Sequence, residues 1–142
     1  MAVRKNRNHE EHDIQCAFVQ IAKLTPWGEH LAAIPNGGDR NIITAVRLKA
    51  EGVKKGVFDM ALFIPSKHYH GFFIEFKSSD GWLTPDQAHF AGWRTEFGYL
   101  CQVFRDAQLA YQAVRSYLSQ EVLDVNQWQQ YVKVPKRRRK IC

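Results

Sequence analysis

The spacing of apolar positions changes along the chain, and each change predicts an element. In EEHDIQCAFVQIAKL, residues 10–24, Ile14, Phe18 and Ile21 recur at three- and four-residue steps with Ala22 on their flank, which predicts a helix. The apolar run HLAAIP (30–35) predicts a strand, ended by the turn-rich NGGDRN. TAVRLKAE (44–51) reads as a short helix stopped by Gly52. VFDMALFIP (57–65) and GFFIEFKS (71–78) predict two strands, and the connecting SKHYH with Gly71 points to a hairpin. Thr84-Pro85-Asp86-Gln87 is a helix start: Thr84 as N-cap, Pro85 at the first helical position, Gln87 completing a capping box. That helix is expected to run to Phe97, burying Phe90, Trp93 and Phe97, with Gly98 as its C-terminal cap. YLCQVFR (99–105) predicts a strand, and Asp106 caps a last helix through about Leu118. EVLDVNQWQQYVKV (121–134) fits helix and strand alike. The order describes an α/β sandwich, a small mixed sheet covered by helices.

A length of 142 residues suits one domain with its own core. Charge changes the picture only through its placement. Of the formal net +6, Arg4, Lys5 and Arg7 carry three and the KRRRK run at 136–140 carries five, which leaves −2 for residues 8–135. The body is not basic; the ends are. Basic ends favour phosphate contact at low specificity, although a solvated tail explains them nearly as well. Cys16, Cys101 and Cys142 share no metal-ligand spacing, and an odd count argues against a disulfide framework. Cys16 and Cys101, inside expected elements, read as reduced and structural. The N-terminus has no apolar signal region, and VFDMALFI (57–64) is too short to span a bilayer and carries Asp59. A soluble chain in a reducing, intracellular compartment is expected, without membrane contact.

Side chains alternate across a strand, so Phe72, Ile74 and Phe76 point one way and Phe73, Glu75 and Lys77 the other. Alone, Glu75 and Lys77 are explained by the wet face of a half-buried strand. Asp59 shifts that balance. Its strand is apolar on both faces, and a carboxylate there costs several kcal/mol unless paired, metal-bound or open to water. Glu11 lies beside the Ile14–Phe18 stripe and is expected to point toward the sheet edge; Glu10, rotated by about 100°, is a weaker candidate. Carboxylates converging on one sheet edge beside a lysine form a hydrolytic design whose oxygen ligands suit Mg²⁺ or Mn²⁺.

Asp59, a gap, then Glu75-x-Lys77 resembles the PD-(D/E)XK nuclease pattern. More specifically, the chain is similar to the VRR-NUC family, the virus-type replication-repair nucleases, over roughly residues 10–118. The segments that carry the resemblance are Glu11-x-x-Ile14-Gln15, IPNGGDRN, RLKAEGVKKGVFDMALFIP, GFFIEFK and LTPDQ. The resemblance implies a restriction-endonuclease-like αβββαβ core over 10–120, between a basic arm (1–9) and a C-terminal segment with a basic tail (121–142). It implies metal binding by Asp59, Glu75 and the Phe76 backbone carbonyl, with Glu11 as a direct or outer metal contact. Lys77 would be the catalytic lysine and Gln87 a residue of the active-site edge. The implied activity is that of a Mg²⁺- or Mn²⁺-dependent DNA endonuclease serving DNA repair. Its setting would be the cytoplasm of a bacterial or phage-infected host cell. The family's stand-alone members are homodimers that act on branched DNA such as four-way (Holliday) junctions. One departure is Phe58, where the family usually has proline, so the strand entry is freer in φ.

Two other readings stay open: a catalytically silent nucleic-acid-binding module, and a nuclease of this fold acting on linear or nicked DNA or on RNA. Arg40, Lys54 and Lys55 are the expected DNA-backbone contacts. The Asn36-Gly37-Gly38-Asp39-Arg40 loop suits a phosphate or an ordinary turn. His68 and His70 share a strand face but fit an exposed hairpin tip better than a metal site. Trp82 suits either an unpaired base or the helix that follows.

Overall fold

The computed structural model describes residues 7–35 and 41–135. Helix α1 (Arg7–Ala22) leads through a 3-10 turn (Pro26–His30) into strand β1 (Leu31–Ala33); α2 (Ile42–Ala50) precedes β2 (Met60–Leu62). Then come β3 (Phe72–Phe76), α3 (Pro85–Glu96), β4 (Leu100–Phe104), α4 (Ala107–Leu118) and a second 3-10 turn (Gln127–Tyr131). The strands form one sheet in the order β1-β2-β3-β4. β1–β2 and β2–β3 are antiparallel, while β3 and β4, joined through α3, are parallel. This is the expected mixed α/β architecture.

Period-two alternation sorts the core onto two faces. Phe72, Ile74 and Phe76 of β3 pack with Phe18 and Ala22 of α1 and with Ala110, Val114 and Tyr117 of α4. The opposite face gathers Cys101, Val103 and Leu83 with Ala91 of α3, and Phe73, Phe90, Trp128, Tyr131 and Val132 close around them. Glu75 and Lys77 therefore belong to the α3 face.

Four expectations need correction. The strand expected over 57–65 is regular only at Met60–Leu62. Phe58 lies in the α3-side cluster and Met60 in the α1-side cluster, although two-residue alternation would put them together. The register Met60↔Ile74 would bring Phe58 opposite Phe76, but the Phe76 amide instead donates to the Asp59 carboxylate at 2.9 Å. The side chain has replaced a ladder partner, and the backbone turns there. Trp93 (49% exposed) and Phe97 (58%) are not buried; they stack on each other at 5.8 Å. α3 buries Ala91, and Trp128 of the C-terminal segment lies beside Gly92. Cys16 is exposed beside His12, whereas Cys101 is buried and its thiol is pushed up to about 12 by burial. Residues 121–134 form neither long helix nor strand but a 3-10 turn in an irregular strap.

Candidate active site at the ends of the second and third strands

Because β2 and β3 run antiparallel, the residue entering β2 lies beside the exit of β3. That places Asp59, Glu75 and Lys77 at one sheet edge. Glu75 is 2% and Lys77 7% exposed. A cleft of about 330 Å³ opens there, lined by Lys55, Gly56, Val57, Asp59, Glu75, Thr84, Asp86 and Gln87.

A buried carboxyl and a half-buried one this close cannot both ionise freely. Burial raises the Asp59 carboxyl above its ordinary value, while the Phe76 amide, Glu75 and the Lys77 ammonium oppose the rise. Glu75 is raised further, first by burial and then by Asp59, with Lys77 lowering it and Glu11 adding repulsion. A single lysine does not offset this acid pair.

Gln87 holds Glu75 in place. Its Oε1 accepts from the Thr84 amide at 3.0 Å and the Gln87 amide donates to Thr84 Oγ1 at 3.2 Å, a complete capping box. With its oxygen committed to that cap, its Nε2 donates to both Glu75 oxygens at 3.3 and 3.2 Å. One amide thus starts α3 and orients the carboxylate. The loop carrying Lys54 and Lys55 is seated against the same helix start. Gly56 has φ +83°, and a Cβ there would collide with the Asp86 backbone.

Glu11 reaches this edge from the other face of the sheet, and its Oε1 accepts from the Ser78 amide at 3.3 Å. Glu10 does the same for Ser79 at 2.9 Å, and Arg7 pairs with the exposed Asp80 at 3.0 Å. From the other side Arg105 donates through Nε to the Ser78 carbonyl (3.0 Å) and through Nη2 to the Gly81 carbonyl (2.6 Å). Its guanidinium lies 4.8 Å from the Tyr131 ring. The turn that follows Lys77 is therefore gripped by both its amides and its carbonyls.

Glu10's role and Arg105's were missed by sequence reasoning. Parallel pairing of β3 with β4 was the available signal, since Phe76↔Phe104 puts Arg105 alongside Lys77. Lys54 and Lys55 are exposed, with Lys55 at the cleft, while Arg40 lies outside the described residues. His68 Nε2 sits 3.1 Å from the Gln120 carbonyl oxygen and His70 packs on Tyr99, so the two serve the hairpin tip. Trp82 is 45% exposed and flanks Arg105.

Among the described residues no group of three or more His, Cys, Asp or Glu side chains could hold a metal ion. Asp59 and Glu75 are a two-carboxylate, all-oxygen donor set. That fits Mg²⁺, which commonly takes one or two carboxylates and completes its shell with water and substrate phosphate. Among the described residues no helix is long and apolar enough to cross a membrane.

No protein-family model and no curated protein matches this sequence. A solved structure described as "VRR_NUC domain protein" matches it with a TM-score of 0.68 at 22% identity, covering 81% of this chain and 93% of that one. The chain shares the fold of that VRR_NUC domain protein.

Proposed function

We propose that the chain is a metal-dependent DNA endonuclease hydrolysing phosphodiester bonds, acting as a homodimer on branched DNA such as four-way junctions. The observation that carries the reading is the acid pair: Asp59 and Glu75, both raised by burial and Glu75 further by Asp59, face one cleft beside Lys77. A fold has little structural use for two uncompensated carboxyls at a sheet edge. The likeness in fold to a VRR_NUC domain protein supports the nuclease class. Branched substrates and the dimer rest on the sequence resemblance.

In this reading Asp59, Glu75 and the Phe76 carbonyl hold Mg²⁺ or Mn²⁺. When bound, the ion offsets the clustered negative charge and polarises the phosphoryl oxygen. Gln87 fixes the Glu75 carboxylate from α3, and the Phe76 amide fixes Asp59. Lys77 orients the attacking water and stabilises charge developing on phosphorus. Glu11 stands at the outer edge of the site, and Lys54, Lys55 and Arg40 contact the DNA backbone.

The test is incubation with linear duplex, single-stranded, flapped and four-way-junction DNA in Mg²⁺, Mn²⁺ or EDTA, beside Lys77→Ala and Asp59→Ala. Metal-dependent cleavage lost in both variants is expected, fastest on the junction. Cleavage of no substrate sinks the enzyme reading, and cleavage that survives EDTA or either substitution sinks the mechanism. Preference for linear duplex removes the branched-DNA element alone.

A further inference from the structure

We propose that Tyr131, on the 3-10 turn of the C-terminal strap, is a positioning residue for the Asp59–Glu75–Lys77 site. Its ring orients the arginine that holds the turn after Lys77, and its carbonyl anchors the start of the helix that holds Glu75. The role rests on the nuclease reading above.

The strap is fastened to the sheet before it reaches Tyr131. Gln127 takes the place of a neighbouring strand on β4: the Val103 amide donates to its Oε1 at 2.8 Å, and its Nε2 donates to the Val103 carbonyl at 2.6 Å. Gln102 Nε2 donates to the Asp124 carbonyl at 3.2 Å, and Trp128, Tyr131 and Val132 pack on the α3-side core.

Two paths lead from Tyr131 to the cleft. The Leu83 amide donates to the Tyr131 carbonyl at 2.8 Å. The next residue, Thr84, caps α3 together with Gln87, whose Nε2 donates to both Glu75 oxygens. The second path runs through the ring. The Arg105 guanidinium lies 4.8 Å from the Tyr131 ring centroid while donating to the Ser78 and Gly81 carbonyls. Among the described residues no carboxylate pairs with Arg105. A guanidinium is most often oriented by a carboxylate; here an aromatic face takes that part. Trp82 also lies near, but at 6.0 Å and 45% exposed it is the looser support. Neither path uses the Tyr131 hydroxyl.

The lysine side and the carboxylate side of the cleft thus share one anchor, on a segment remote from both in sequence. Catalytic groups must hold their places to within a fraction of an ångström, so loosening that anchor should slow the chemistry before it weakens binding.

The test is steady-state cleavage of labelled four-way-junction and linear duplex DNA in Mg²⁺ by the full chain. Tyr131→Leu and Tyr131→Met keep apolar bulk in the core and remove the ring face; Tyr131→Phe keeps the ring. The first two are expected to lower kcat about tenfold with KM little moved, and Tyr131→Phe to keep the native rate. Adding Arg105→Ala to Tyr131→Leu should cost little more than either change alone, because members of one path are not additive. Four results overturn the proposal: native kcat without the ring, an equal loss in Tyr131→Phe, a change confined to KM, or losses that multiply in the double variant.

Amide hydrogen exchange reads the same anchor without activity. In Tyr131→Leu the Ser78, Ser79 and Gly81 amides should exchange faster, while those of Ile74 in β3 and Val114 in α4 keep their native protection. Unchanged exchange at the turn overturns the proposal, as does a rise spread equally over all five. Cleavage of no substrate by the native chain, with the exchange result intact, removes the nuclease reading and leaves Tyr131 as the anchor of both cleft walls.

Discussion

Two acid pairs meet near the end of β3, and they are built differently. Glu10 and Glu11 stand on the first turns of α1, and each spends an oxygen on a backbone amide of the turn after Lys77. Asp59 and Glu75 are sunk into the sheet edge, where burial raises both and Asp59 raises Glu75 further. The first pair is spent on backbone amides of the turn; the second, though bonded to the Phe76 amide and to Gln87, sets two carboxyls against one lysine. Carboxylates of the same type thus divide into one pair that shapes the site and one that calls for a cation.

The sharpest break in that comparison is loss of the deep pair. Asp59→Ala or Lys77→Ala should lower the DNA cleavage rate by about 10³-fold, within the span of acid–base and electrostatic contributions, with folding checked by circular dichroism. Glu75→Gln should be as inactive, yet at least as heat-stable as the native chain in EDTA, since it removes a charge the fold resists. A lower Tm for that variant would mean the pair stabilises the fold.

Next comes the grip on the turn. Arg105→Ala should cost about 1.5–3 kcal/mol by urea titration, through two charge-assisted bonds. Cleavage should fall about tenfold in kcat with KM little moved, and Arg105→Lys should recover only part. Smaller still, Glu10→Gln and Glu11→Gln keep an oxygen for the amides and should change the rate only a few-fold. A loss at Glu11 as large as at Asp59 would move Glu11 into the metal's ligand set.

The smallest effect is on stability against pH. Folded-state values for Asp59 and Glu75 lie above their ordinary 3.8 and 4.5, so the folded chain holds protons that the unfolded chain releases. The stabilisation is fully present below about pH 4 and is lost as pH rises through the folded values. In EDTA, Tm should therefore fall as pH rises above the ordinary carboxylate range, less steeply in Glu75→Gln. Added Mg²⁺ should raise Tm most at the high end. A flat profile would show the two carboxyls to be better solvated than their burial implies.

Local rules carried most of the fold. The Thr84–Gln87 capping box, the Asp106 cap and the alternation of FFIEF are consequences of neighbouring residues, and each stands where periodicity put it. Asp59, Glu75 and Lys77 were likewise legible as candidates, because polar groups inside apolar runs call for a reason; Gln87 was a site candidate only through the family resemblance. Their partnership was not legible. Nothing local says that Gln87 can cap α3 with its oxygen and hold Glu75 with its nitrogen, since that requires α3 to lie over β3. Trp93 and Phe97 mislead for the converse reason: helical spacing marks an apolar side, but only packing decides that α3 buries Ala91 and leaves those two exposed.

By itself the sequence determined the elements, their α/β order and which side chains share a strand face, because dihedral preference and side-chain period act within a few residues. Tertiary structure alone decided that Asp59 leaves its strand's alternation to meet the Phe76 amide, that Glu10 and Glu11 serve the turn after Lys77, and that Tyr131 of the C-terminal strap meets Leu83. Those arrangements depend on desolvation and on long-range hydrogen bonds. Neither exists until distant segments have packed.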